Sequence, residues 1–298
     1  MNTAAKLSAY GVALVLVAGG AWAIGTAVGP FGQQASDAEG AGHGDTHSGT
    51  VAETAQVDLP AGLASSRGGY TLTPTSTTLT PGANTFSFRV TGPDHEPVTR
   101  FDVEHEKRMH LIVVRRDTAG FQHIHPTMGA DGTWTVPLTV AQPGSYRAFA
   151  DFTPTGGDGM TLGVDLAVPG DFQPAEYHQS RVATVDGYEV RLDGDLVPGE
   201  TSKVTLTVAR NGRPVTDLQP YLGAYGHLVA LRGGDLAYLH VHPDGEPGDG
   251  RTRPGPTVTF YAEVPSAGVY RLFLDFRHGD TVRTAEFTLD TQGVHDDR

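Results

Sequence analysis

The stretch from Gly226 to Pro243 repeats, 117 residues later, the pattern of Met109 to Pro126, and this duplication limits the fold more than any other feature. In each copy a second histidine follows the first by thirteen residues, a third comes two later, and a proline follows at once. The first copy supplies His110, His123, His125 and Pro126, and the second His227, His240, His242 and Pro243. The same offset carries Pro81-Gly82 onto Pro198-Gly199 and Pro97-Val98-Thr99 onto Pro214-Val215-Thr216. After a seven-residue insertion, Gly144 to Phe152 matches Gly268 to Phe276. A period this long is too great for a solenoid repeat and marks the duplication of a whole domain. A chain of 298 residues has room for two such domains, each with its own core.

Within a copy the pattern is β throughout, and no segment from Tyr70 onward holds the 3.6-residue period of a long helix. Strands are expected at 70–79, 85–90, 101–103, 109–116, 121–125, 134–140, 146–152 and 161–168, several of them separated by turn signals such as Asp131-Gly132 and Pro143-Gly144. Seven or eight short strands in about 100 residues indicate an immunoglobulin-like sandwich. The expected class is therefore all-β: two tandem immunoglobulin-like sandwiches, at 67–170 and 182–298, joined by a linker at 171–181. The repeated histidine stretch reads as a hairpin, with an apolar run at Leu111–Val114, a turn near 117–120 and a second short strand. Alternate side chains share a face, so His123 and His125 stand roughly 7 Å apart on one side of the strand. A turn centred near 117–118 sets His110 opposite His125, and a slip of one residue would undo the pairing.

Ahead of the repeats, residues 8–29 carry no charge, a length suited to a transmembrane helix of about 20 residues. Lys6 precedes them, which places the N-terminus inside and the bulk of the chain outside the cytoplasmic membrane. Ala21-Trp22-Ala23 also fits a signal-peptidase site, so residues 1–30 are read as an anchor or as a cleaved signal that leaves a secreted protein. Residues 31–66, rich in Gly, Ala, Ser, Thr and Asp, read as a flexible tether. Cysteine is absent, which excludes disulfides, thiol nucleophiles, Cys-ligated zinc or iron–sulfur clusters and blue-copper centres. A net charge of −13 argues against nucleic acid as a partner.

Three imidazoles on one patch make a divalent-metal site, and their recurrence in two otherwise divergent copies argues for a constraint on the rings themselves. Free imidazole titrates near 6.5, so such a site is expected to weaken on acidification through about pH 6. The copies differ in their further donors. Glu104, His105 and Met109 of the first stand where the second has Tyr221, Leu222 and Gly226. A thioether would favour Cu(I), whereas imidazole alone suits Cu(II) or zinc. In a regular strand, however, Met109 points away from His110, toward the core. Asp151 and Asp275 lie on the strand face opposite Tyr270, Leu272, Leu274 and Phe276, so they reach either the site or their own strand's arginine. The candidate metal ligands are His105, Met109, His110, His123, His125, Asp151, His227, His240, His242 and Asp275.

Glu104-His105-Glu106-Lys107 with Met109-His110-Leu111-Ile112, followed by Phe121 to Pro126, resembles the extracytoplasmic β-sandwich domains grouped as YtkA-like or FixH-like. Tyr221 to His227 with His240 to Pro243 is similar to a second form of the same family, and the resemblance spans about residues 67–290. It implies a sandwich fold and an association with copper or heavy-metal handling. The leading expectation is thus a membrane-tethered extracytoplasmic protein, not an enzyme, that captures copper, with zinc or another divalent metal as alternatives. It would hold the ion or pass it to another envelope or copper-handling protein. The alternative is an envelope adhesion or assembly module of paired immunoglobulin-like domains with structural histidines.

Overall fold

A computed structural model describes residues 59–291; the expected membrane segment at 8–29 and most of the tether lie outside them. The first repeat forms β1 (Ser66–Arg67), β2 (Tyr70–Pro74), β3 (Gly82–Thr91), β4 (His110–Arg115), β5 (Gln122–Ile124), β6 (Thr127–Met128), β7 (Trp134–Val140), β8 (Gly144–Phe152) and β9 (Met160–Val168). The second forms β10 (Val182–Val185), β11 (Tyr188–Asp193), β12 (Thr201–Arg210), β13 (Arg213–Pro214), β14 (His227–Arg232), β15 (Val241–Pro243), β16 (Thr257–Glu263), β17 (Val269–His278) and β18 (Thr281–Asp290). The expected strand at 101–103 does not form; Phe101 makes a single bridge to Pro154 instead.

Each repeat is a two-sheet sandwich. In the first, β1-β2-β3-β7-β6 faces β5-β4-β8-β9; in the second, β10-β11-β12-β16-β15, with β13 beside β12, faces β14-β17-β18. All the strand pairs are antiparallel, and this order is that of immunoglobulin-like domains. A second mark of that fold is a tyrosine at the start of the penultimate strand bonded to upstream backbone. Tyr146 Oη donates to the carbonyl of Gln142 at 2.7 Å, and Tyr270 Oη to that of Ser266 at 2.7 Å.

Period-two patterning fills the cores. Trp134, Val136, Leu138 and Val140 of β7 point inward while Thr135, Pro137 and Thr139 face out. The histidine strand β4 departs from that pattern because all six of its residues are buried. Leu111 and Val113 enter the first core, whereas Ile112 and Val114 meet Phe149, Val229, Leu231, Leu236 and Phe273 in a separate apolar cluster between the sandwiches. Each such side chain contributes about 1.5–3 kcal/mol by burial. Phe121 stacks on Phe273 with ring centroids 4.0 Å apart, and Tyr238, its counterpart in the second repeat, lies 5.8 Å from Phe149. The two repeats thus exchange one aromatic each across an approximate two-fold relation.

The last residues of the expected tether, from Ala61, are bonded into the body of the protein. Gly62 N–H donates to the carbonyl of Thr161, and Tyr238 N–H to that of Ala61, so this segment bridges both sandwiches. Gly62 is at φ +76°, and a β-carbon there would lie 2.5 Å from the ring of Phe149, so only glycine passes.

Candidate metal centre

The β4–β5 hairpin pairs Leu111 with Ile124, Ile112 with His123 and Val113 with Gln122. That register continues to set His110 beside His125, and their ring centroids are 5.0 Å apart. Because His123 is paired with Ile112, the imidazoles share the face that meets the second sandwich. His110 and His123 are 5.3 Å apart, and His123 and His125 4.9 Å. Two further rings join from outside the hairpin. His227 opens β14 and lies 5.6 Å from His110, parallel to it, and 4.8 Å from His123. His105 lies 6.1 Å from His110 and 5.6 Å from His227.

One ligand atom from each of His110, His123 and His125 lies within 4.8 Å of the others. His110 Nδ1 and His123 Nε2 are 3.1 Å apart. Two nitrogens bound at about 2.0–2.1 Å to one tetrahedral ion stand roughly 3 Å apart, so the pair already has chelating separation. His125 Nε2 is buried with no hydrogen-bond partner. An unsatisfied buried nitrogen costs about 1–3 kcal/mol, and a ligated ion would remove that cost. Behind the triad, His123 Nδ1 donates to Asp275 Oδ2 at 2.8 Å, and Thr284 Oγ1 donates to Asp275 Oδ1 at 2.6 Å. A carboxylate on the far nitrogen is the usual partner of a metal-bound histidine.

The protons tell the same story. His110 Nε2 faces the carbonyl of Glu104 at 3.1 Å and must donate, so Nδ1 of the neutral ring is an acceptor. That acceptor faces His123 Nε2 at 3.1 Å, while His123 Nδ1 faces the Asp275 carboxylate at 2.8 Å. Burial, then the nearby His123, lowers the pKa of His110 to about 4. Burial, then His123 and His110, lowers that of His125 to about 3. Burial and the surrounding imidazoles hold His227 well below its ordinary value. The cluster is an imidazole-rich pocket edge whose triad could hold a metal ion.

The remaining candidates fall elsewhere. Met109 is buried in the core of the first sandwich, on the face opposite His110, so its sulfur stands outside the cluster. Among the described residues the second repeat does not assemble a triad of its own. Its strand crosses to the other sheet early: Val241 pairs with Ala262 and His242 with Tyr261 of β16, whereas the equivalent Ile124 still pairs within the hairpin. His227 consequently joins the first repeat's histidines. His240 and His242 stay together, rings 4.0 Å apart, and are exposed on the wall of a cleft of about 920 Å³. His105, His110 and Asp151 line the same cleft. Burial raises the pKa of Asp151, which accepts from Thr161 Oγ1 at 3.0 Å. Neither aspartate pairs with its strand's arginine: Arg147 bonds Asp165 and the carbonyl of Gly62, and Arg271 bonds Glu286 and Thr118.

A family described as a domain of unknown function (DUF8832) matches residues 64–170 and again 183–293, one match per sandwich. The chain belongs to this family. No curated protein matches it. Among solved structures, a mutant alpha-2-macroglobulin from Salmonella is similar at 14% identity and a TM-score of 0.27, over 78% of this chain and 15% of that one. A putative membrane anchored protein from Corynebacterium diphtheriae is similar at 9% identity and a TM-score of 0.23, over 76% of this chain and 58% of that one. Invasin, a bacterial integrin-binding protein, is similar at 16% identity and a TM-score of 0.23, over 74% of this chain and 39% of that one. The chain thus spans less than two thirds of the length of each of these proteins.

In this DUF8832 chain, the parts of the site invisible in the hairpin spacing come from across the interface. His227 and Asp275 approach the triad because the sandwiches pack face to face. The signal for that packing lies in the run Leu111–Val114, apolar on both strand faces, where a strand with one solvated face would alternate. The Glu104 carbonyl reaches His110 through a tight turn in which Glu104 and Lys107 exchange both backbone bonds.

Proposed function

We propose that this protein binds a transition metal, copper as Cu(II) or else zinc, at the His110–His123–His125 triad. It does so as an extracytoplasmic protein tethered to the cytoplasmic membrane by residues 8–29, and it holds the ion or hands it to another envelope protein. The role is binding, not catalysis. The observation that carries the reading is the triad's geometry: converging nitrogens, one of them buried without a partner, backed by Asp275. With Met109 in the core, the donor set is imidazole alone, which removes the reason to favour Cu(I).

A second reading, an adhesion or assembly module whose histidines are structural, draws on one observation. His123–Asp275 and His110–Glu104 are satisfied hydrogen bonds without any ion, and the first ties the two sandwiches together. Copper stoichiometry separates the two. Full-length protein in detergent is expected to retain Cu(II) through gel filtration, and the triple variant His110→Ala, His123→Ala, His125→Ala to lose the tightly held ion. Unchanged copper in the folded triple variant would leave the adhesion reading. Cleavage of the sandwiches by protease added outside wall-stripped cells checks the orientation, and their protection would reverse it.

A further inference from the structure

The cleft that His110 lines is far larger than a single ion needs. Its volume of about 920 Å³ is that of a small-molecule site, and two cations, Lys107 and Arg108, stand on its wall at the entry to the histidine strand. Both are exposed. Ten arginines pair with a carboxylate, whereas Lys107 and Arg108 have no ion-pair partner among the described residues. Glu104, Asp158, Glu200 and Glu263 line the same cleft, and none of them pairs with either cation. The turn ties these cations to the triad. The carbonyl of Glu104 accepts from Lys107 N–H at 2.9 Å and from His110 Nε2 at 3.1 Å, so the Lys107 backbone sits beside the His110 ring. Burial is the main cause of the lowered pKa values of His110 and His125, but the Lys107 charge acts on both in the same direction. The duplication supplies a control. The second repeat forms the same turn, from Tyr221 to Ala224, and has Ala224 and Tyr225 where the first has Lys107 and Arg108. The copy with the triad carries the cations; the other carries neither.

A bare dication is poorly placed beside an unpaired ammonium, because the two repel in a partly desolvated site. An anion that bonds both removes the conflict. Three imidazoles leave at least one position of a four-coordinate ion open for it. We propose that the triad takes its ion as a complex with a small polycarboxylate, which sits in the cleft with one carboxylate on the ion and another on Lys107 and Arg108. This rests on the triad reading above and names the form in which the ion arrives. Arg108 offers the planar fork that matches a carboxylate, and Lys107 the point charge whose field reaches the triad.

The experiment uses full-length protein in detergent, with Cu(II) at a buffered free concentration and radiolabelled citrate as the probes. Coupling between ion and anion is reciprocal, so each should raise the affinity of the other by the same factor, at least about tenfold. In equilibrium dialysis the copper-loaded protein should retain citrate, and the paramagnetic resonance spectrum of its Cu(II) should change when citrate is added. Lys107→Ala with Arg108→Ala should keep the ion and weaken citrate binding by at least about tenfold, while Lys107→Arg should retain it. Arg213→Ala with Arg251→Ala, which removes exposed cations outside the cleft, should match wild type. If the copper-loaded protein retains no citrate, or holds it equally without copper or without the two cleft cations, the polycarboxylate site is wrong and the triad stands. Equal loss in the control pair would reduce the effect to general surface charge and overturn the site as well. If wild type binds no Cu(II) with or without citrate, both readings fall. Circular dichroism of each variant confirms that it is folded.

Discussion

Asp275 fixes the orientation of His123, since its two oxygens accept from His123 Nδ1 and Thr284 Oγ1 and leave Nε2 turned toward His110. Partners of this kind are worth about 10–100-fold in metal affinity. Asp275→Asn is therefore expected to weaken Cu(II) binding by at least about tenfold with stoichiometry unchanged, read by chelator competition. An affinity equal to wild type would remove Asp275 from the site. His110 makes a separate prediction about acid. Its folded pKa is about 4, against 6.5 for the free side chain. Between those values the unfolded chain binds a proton that the folded chain refuses, so stability is complete above pH 6.5 and falls as the pH drops toward 4. At about 1.36 kcal/mol per unit, His110 alone accounts for a loss of about 3 kcal/mol. Urea midpoints of the metal-free protein should decline from pH 7 to 4.5 and decline less in His110→Asn; parallel curves would contradict a neutral, buried His110. The same burial keeps His110 and His125 free of protons well below pH 6, so copper should be held to lower pH than free imidazole chemistry suggests.

At the level of elements, the turn from Glu104 to Lys107 and its counterpart from Tyr221 to Ala224 share one backbone shape, with two consecutive left-handed residues. The second copy satisfies it with Leu222 and Gly223, the first with His105 and Glu106. Non-glycine residues cost about 1–2 kcal/mol in that region, offset in part by the entropy a glycine would lose. Glu106→Gly should thus stabilise the protein by a few tenths to ~1 kcal/mol in denaturant unfolding without changing copper stoichiometry. A destabilised variant would mean that the Glu106 side chain holds the turn. How much of the site could be read from sequence follows from the same elements. The thirteen-residue spacing fixed the hairpin register, and period two placed Met109 away from His110, as found. The fate of His240 and His242 was not legible. Whether a short strand stays in its hairpin or crosses to the facing sheet depends on edge pairing with β16, and no local pattern in the sequence encodes that choice. The identical spacing in both copies suggested a triad in each, the first with further donors, yet only the first converges among the described residues.

For the molecule as a whole, the apolar cluster of Ile112, Val114, Phe149, Val229, Leu231, Leu236 and Phe273 binds the repeats into one body, and the site lies at its rim. Duplicated domains in tandem commonly unfold one by one. Here neither sandwich can open without exposing that cluster and breaking the Phe121–Phe273 stack. Phe273→Ala should cost about 3–5 kcal/mol, and the loss should be shared by both repeats. Trp134 reports on the first sandwich alone, because the second contains no tryptophan, while circular dichroism reports on both. In the metal-free protein the two signals are expected to melt together. Copper adds a sharper test. His110, His123 and His125 come from the first sandwich, but their backing Asp275 and the stacked His227 come from the second. Binding restricted to the folded state at 100 times Kd contributes about 2.7 kcal/mol, roughly 5–10 °C for a body of this size. Both probes should rise together by that amount. A rise in the tryptophan transition alone, with a second transition by circular dichroism left in place, would show that the sandwiches unfold independently and that the ion does not span them.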